Sequence, residues 1–145
     1  MSEMSASRDP LELLEEQLRT PALNRWMGAR AIAADRDRGT IDVVLAFRPE
    51  FGIHPEDKLF HGGIIASLID ITGHASVAVW RGGGVTPTIS LQIDYLAPAP
   101  APELRATGIL RKSGRMIACA DIELRARDKL VALGRGRFST AGRQT

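Results

Sequence analysis

Apolar and polar positions along this chain follow two periods, and their order predicts its elements. Between residues 9 and 20, Leu11, Leu14 and Leu18 fall on one helical face. Asp9 stands where an N-cap belongs, Pro10 occupies the first helical position, and Thr20-Pro21 ends the segment. Residues 26–34 and 40–47 read as two strands joined by a charged turn at residues 35–39. A loop with Pro49, Gly52 and Pro55 follows over residues 48–60. From about Gly62 to Trp80 the apolar residues surround the predicted helix instead of lining one side, which places it in a core. Arg81-Gly82-Gly83-Gly84 is its stop.

Strand alternation then returns. Ile89, Leu91, Ile93 and Tyr95 alternate with Thr88, Ser90, Gln92 and Asp94. After a break at Pro98, Pro100 and Pro102, a strand over residues 103–111 leads to a predicted hairpin turn at Lys112-Ser113-Gly114. The next strand puts Met116, Ala118, Ala120, Ile122 and Leu124 on one face and Asp121, Glu123, Arg125 and Arg127 on the other. A turn over residues 127–129 precedes a last strand to about Ser139. These four segments read as an antiparallel meander able to wrap one face around a single helix. The fold class is α+β, with residues 1–24 a tail and short helix and residues 25–145 a single domain.

Composition narrows the function. The 145 residues suit one domain with a real core, and the formal charge is only +2. Basic residues are dispersed and aromatic ones few, which argues against nucleic-acid binding. Cys119 is the lone cysteine, so an intrachain disulfide framework and a multi-cysteine zinc site are excluded; its strand position reads as packing. Residues 1–10 lack an apolar signal core, and Asp70, Gly73 and His74 interrupt the longest apolar stretch. A cytoplasmic protein without a membrane span is the expectation.

The candidate chemistry lies in His61-Gly62-Gly63 and the helix behind it. Asp70 stands alone among apolar residues, and a carboxylate is rarely kept in such surroundings without a partner or a task. Gly62 and Gly63 put bare backbone N–H groups at the helix start, where orphan donors and the dipole favour negative charge. An acid and an oxyanion site together point to attack on a carbonyl. Ser67 and His74 lie about one turn to either side of Asp70 and form a narrow polar stripe with it. For His74 a structural hydrogen bond is favoured over a catalytic dyad. For His61 an orienting and a direct role stand side by side. A metal site from His61, Asp70 and His74 is not expected, because the first and last lie on distant turns.

These residues resemble the hotdog-fold acyl-CoA thioesterases, in particular their PaaI-like, phenylacetate-pathway branch. His61-Gly62-Gly63 followed by Leu68 and Asp70 is similar to the family signature, with the acid nine residues after the histidine. Residues 88–98 (TISLQIDYLAP) resemble the family's third strand, Lys112-Ser113-Gly114-Arg115 its basic hairpin, and Gly134-Arg135-Gly136 its last strand. The resemblance covers roughly residues 25–140. It implies an antiparallel sheet wrapped around a long central helix, and hydrolysis of an acyl-CoA to free acid and coenzyme A. Gly62 would polarise the carbonyl through its N–H, Asp70 would act as nucleophile or general base, and His61 would support them. Gly63, Ser67, Thr88, Tyr95, Lys112, Ser113, Gly114 and Arg115 would bind substrate, the hairpin through the phosphates of coenzyme A. No metal and no separate cofactor are implied. One departure is present: Pro55 and Lys58 replace an Asn and a Gly that the branch often carries six and three residues before the histidine. His54 and Asp57 are the nearby polar alternatives.

Helical rise adds a constraint. Gly62 and Asp70 are eight positions apart, hence about 12 Å along one helix. Groups acting on one carbonyl must lie within about 3 Å of the reacting atoms. The two therefore belong to a site shared between two chains, in agreement with the two-fold dimer, often a dimer of dimers, that the resemblance implies. Two other functions remain open: a hotdog hydratase or dehydratase, and a non-catalytic acyl-CoA-binding module.

Overall fold

The apolar run behind Gly63 has no side wide enough to leave in water, and the chain covers it with a curled sheet. In the computed structural model, which describes residues 8–142, this run is the 17-residue helix α3, Gly62–Ala78. Ten of its residues are buried, among them Leu68, Ile69 and Val77. Ser67, Asp70 and His74 are only half-buried, so the predicted polar stripe is the side that the sheet leaves uncovered. A 3₁₀ turn, Val79–Arg81, extends the helix, and Gly82 stops it in the left-handed conformation at φ 85°. The stretch Gly62–Arg81 is apolar enough to cross a membrane by length and composition, with a mean hydropathy of 1.4, yet here it is the core helix of the domain.

Six strands form the sheet: β1 (Arg30–Asp35), β2 (Thr40–Ala46), β3 (Thr88–Tyr95), β4 (Glu103–Ser113), β5 (Ile117–Ala126) and β6 (Lys129–Ser139). Their spatial order is β1-β2-β4-β5-β6-β3, and every neighbouring pair is antiparallel. This corrects the expected four-strand meander, because only β4, β5 and β6 follow one another. β3 pairs with the far side of β6 and forms an edge. The proline-rich segment between β3 and β4 cannot close a tight hairpin. It crosses instead to residues 58–60, where Phe60 N–H donates to Ala99 O at 2.8 Å and Ala101 N–H to Lys58 O at 2.9 Å.

Small residues let α3 sit close to the sheet. A Cβ added at Gly134 would overlap Ile69 Cγ2, one at Gly108 would overlap Ser76 Oγ, and one at Gly73 would lie 2.7 Å from Phe138 Cζ. Gly134 of β6 and Gly108 of β4 therefore mark where the helix backs onto the sheet.

The N-terminal segment differs from expectation. Helix α1 (Pro10–Arg19) is capped by Asp9, whose Oδ1 accepts from Leu11 N–H at 3.2 Å. It buries Leu13, Leu14 and Leu18, while Leu11 is only half-buried. The strand expected over residues 26–34 starts late. A short helix α2, Ala22–Met27, precedes it, opened after Pro21 and closed by Gly28 at φ 77°. Trp26 is half exposed, with Arg48 stacked 4.6 Å from its ring centroid. Further on, β4 runs two residues past its expected end, so the hairpin turn lies at Gly114, Arg115 and Met116 and leaves Met116 exposed. On β3, Ile89 and Tyr95 face solvent, because the strand lies at the edge and its register shifts between Thr88 and Ser90.

Candidate functional site

The start of α3 is built by His61. Its Nδ1 accepts the Gly63 N–H at 2.8 Å, and its carbonyl accepts from Ile64 at 2.9 Å and Ile65 at 3.1 Å. Its own N–H donates to Phe51 O at 2.8 Å, which ties the helix start to the preceding loop. His61 thus caps the helix through its side chain. Among the described residues nothing accepts the Gly62 N–H, so one donor at the positive end of the helix is left over. The Gly62 carbonyl is held from the other side by the Tyr95 hydroxyl, which donates to it at 2.8 Å. Ser67 Oγ donates to Gly63 O at 2.9 Å. Gly62, Gly63, Ser67 and Tyr95 are thus brought together. Close packing within the chain does not by itself demand glycine at position 62, since an added Cβ would meet Tyr95 Cε1 at 3.5 Å.

Asp70 lies two turns further along. Thr88 Oγ1, at the start of β3, donates to Asp70 Oδ1 at 2.7 Å. The two residues line a pocket of about 200 Å³ together with Pro21, Asn24, Ile71, His74 and Pro87. His74 does not hydrogen-bond Asp70. Its Nε2 accepts the Thr86 N–H at 3.1 Å, and its carbonyl accepts from Thr86 Oγ1 at 3.4 Å. Burial pushes the imidazole pKa below its ordinary value of 6.5, and the Asp70 charge opposes that shift in part. His74 is therefore a neutral structural acceptor near pH 7.

Asn24 escaped the sequence reading. It is buried on α2, and its Nδ2 donates to Gln17 O at 2.8 Å. Pro21 and Gly28, the two ends of a helical turn, were the available signal for it. His54 and Asp57 lie in the exposed loop before His61, and neither lines the pocket at Asp70.

The basic hairpin occupies a third place. Gly114 N–H donates to Ile117 O at 3.0 Å, and a Cβ at position 114 would lie 2.8 Å from that oxygen, so the turn requires glycine. Arg81, just beyond α3, donates to Ser113 Oγ at 3.3 Å. The hairpin thus sits at the C-terminal end of the helix and Gly62 at its N-terminal end. Lys112 and Arg115 are exposed and form no ion pair among the described residues. Within one chain, then, Thr88 meets Asp70 and Tyr95 meets Gly62, but the hairpin meets neither group. Among the described residues no cluster of three His, Cys, Asp or Glu side chains could hold a metal ion.

Comparison with known proteins shows the family of the chain. Residues 58–133 match the family model described as the thioesterase superfamily. A medium/long-chain acyl-CoA thioesterase, YigI, of Salmonella typhimurium is 31% identical over 91 residues, spanning 50% of this chain and 56% of that protein. A solved structure of a thioesterase-superfamily protein is 32% identical and superposes with a TM-score of 0.82 over 90% of this chain and 97% of its own. The E. coli PaaI protein of the phenylacetic acid degradation operon is 25% identical, with a TM-score of 0.81 over 97% of this chain and 99% of its own.

Proposed function

Since the chain belongs to the thioesterase superfamily and is a PaaI-like hotdog thioester hydrolase, we propose that it cleaves acyl-CoA to free acid and coenzyme A at a site completed by two chains. Gly62 of one chain binds the carbonyl oxygen and Asp70 of the other acts at the carbonyl carbon. The observation that carries this reading is the leftover Gly62 N–H at a helix start whose next three amides are all satisfied. A preorganised donor at the positive end of a helix stabilises the charge that develops on a thioester oxygen under attack.

As general base, Asp70 takes a proton from water while the water oxygen bonds to the carbonyl carbon. The oxyanion accepts the Gly62 N–H, the C–S bond breaks, and the thiolate of coenzyme A leaves and takes up a proton. As nucleophile, the carboxylate attacks the carbonyl carbon, the C–S bond breaks with release of the coenzyme A thiolate, and water cleaves the resulting mixed anhydride to free acid and the Asp70 carboxylate. In either course the Thr88 hydroxyl holds Oδ1 and leaves Oδ2 to do the chemistry. Lys112 and Arg115 would meet the phosphates of coenzyme A. Neither course assigns a step to a metal or a separate cofactor.

Two features favour a dimer. Gly62 and Asp70 are separated by about 12 Å of helix. β3 is an edge strand that exposes Ile89 and Tyr95, with Leu96 beside them, and the unpaired backbone of an exposed edge is a template for pairing. A hydratase needs a histidine and an acid paired across the chain interface; here His61 Nδ1 is taken by the Gly63 N–H and His74 Nε2 by the Thr86 N–H of the same chain.

The test is thiol release from a panel of acyl-CoA esters by the wild type, Asp70→Asn and Asp70→Ala. Both variants should lose roughly 10²–10⁴-fold in rate. Activity that survives both substitutions would remove Asp70 from the reaction.

A further inference from the structure

Beyond the reacting groups, the chain has a second cleft beside the Asp70 pocket. It has a volume of about 230 Å³ and lies between α1 and the turn formed by Gly82, Gly83 and Gly84. Pro21 and His74 line both cavities, so the two adjoin at these residues. We propose that the acyl chain enters at Asp70, passes between Pro21 and His74, and extends into this cleft, so that the enzyme selects unsubstituted medium-chain acyl groups. The inference rests on the thioesterase reading above, and it adds which part of the fold measures the acyl group.

Volume, rigidity and chemistry support it. An apolar cavity of about 150 Å³ is enough to hold benzene. The Asp70 compartment alone, at about 200 Å³, therefore satisfies a short acyl group, and a longer one gains contacts only by passing His74. The cleft is preformed: Gln17 Nε2 donates to Gly84 O at 3.1 Å and Asn24 Nδ2 to Gln17 O at 2.8 Å, which lock α2, α1 and the glycine turn together. The charged, amide and imidazole side chains of the cleft are already engaged. Gln17 is held by Gly84, His74 by Thr86, and Arg8 pairs with Glu16 at 2.9 Å. A terminal carboxylate on the acyl chain would find no cation without an existing partner there, so the fit is to plain hydrocarbon.

Val85 on one wall and Thr20 on the other lie in the outer compartment and not in the pocket around Asp70. The test is kcat/KM on butyryl-, octanoyl- and suberyl-CoA for the wild type, Val85→Trp and Thr20→Trp, with thermal melting to confirm folding. The wild type should prefer octanoyl- over butyryl-CoA, and over suberyl-CoA, by roughly tenfold or more. Each tryptophan should lower the octanoyl-to-butyryl ratio by roughly tenfold, because it fills the outer compartment. Two variants on opposite walls keep the test informative if one of them misfolds. Turnover without a chain-length preference, or ratios unchanged in the folded variants, overturns the cleft assignment and leaves the thioesterase reading standing. Failure of the wild type to release thiol from any ester overturns the reading beneath it.

Discussion

Thr88 donates a 2.7 Å hydrogen bond to Asp70 and so joins the first residue of an edge strand to the middle of the central helix. A hydrogen bond to an ionised group is worth about 1.5–3 kcal/mol, and in the proposed reaction this one would fix which carboxylate oxygen faces the reacting carbon. Thr88→Val should lower kcat by roughly ten- to hundredfold with little change in KM. Thr88→Ser, which keeps the donor, should recover most of the loss. Steady-state kinetics on one acyl-CoA separate the two variants.

The Gly62 N–H can be removed without disturbing the helix. Gly62 is the first residue of α3, a position that favours proline, and His61 already has the extended backbone that a following proline requires, at φ −65° and ψ 141°. Gly62→Pro should therefore melt close to the wild type. It should also lose roughly 10²–10³-fold in kcat, the usual effect of deleting one oxyanion donor. A rate within a few-fold of wild type would show that this amide does not serve the reaction.

His61 acts here as a helix cap, so its loss should be felt in stability. His61→Ala leaves the Gly63 N–H without its acceptor and should destabilise the fold by about 1 kcal/mol in urea unfolding. His61→Asn supplies another capping oxygen and should restore most of it.

His74 predicts a pH dependence with a definite sign. Burial holds its folded-state pKa below the ordinary 6.5. The unfolded chain therefore binds the proton more readily than the native one. The contribution is complete above the ordinary value and is lost as pH falls through the lower folded value, when the ring must give up the Thr86 N–H. Thermal melts from neutral to mildly acidic pH should fall more steeply for the wild type than for His74→Gln.

Much of this was legible in the sequence because the signals were local. The apolar run closed by three glycines specified α3, and its single polar stripe located Ser67, Asp70 and His74 on the uncovered side. The resemblance marked Thr88 as a substrate-binding position, but its pairing with Asp70 was not legible, because contacts between distant segments depend on where β3 docks. That placement was misread: alternation in β3 does not say which strand it joins, and only the fold sets it beside β6. Asn24 was hidden for a different reason. The short helix α2 has too few residues to display a period, and its neighbours Trp26 and Met27 look like a strand. The hairpin shifted by two residues because charged and small residues at a strand end carry little patterning.

The claim that the site is shared between chains is tested most directly by subunit complementation. Asp70→Asn keeps Gly62, and Gly62→Pro keeps Asp70, so each homodimer alone lacks a complete site. A mixed dimer pairs the intact Gly62 of one chain with the intact Asp70 of the other and restores one of its two sites. When the two variants are co-expressed and paired at random, thiol release should return to about a quarter of the wild-type rate. If Gly62 and Asp70 of the same chain served one substrate, the mixture would stay as inactive as its two parents.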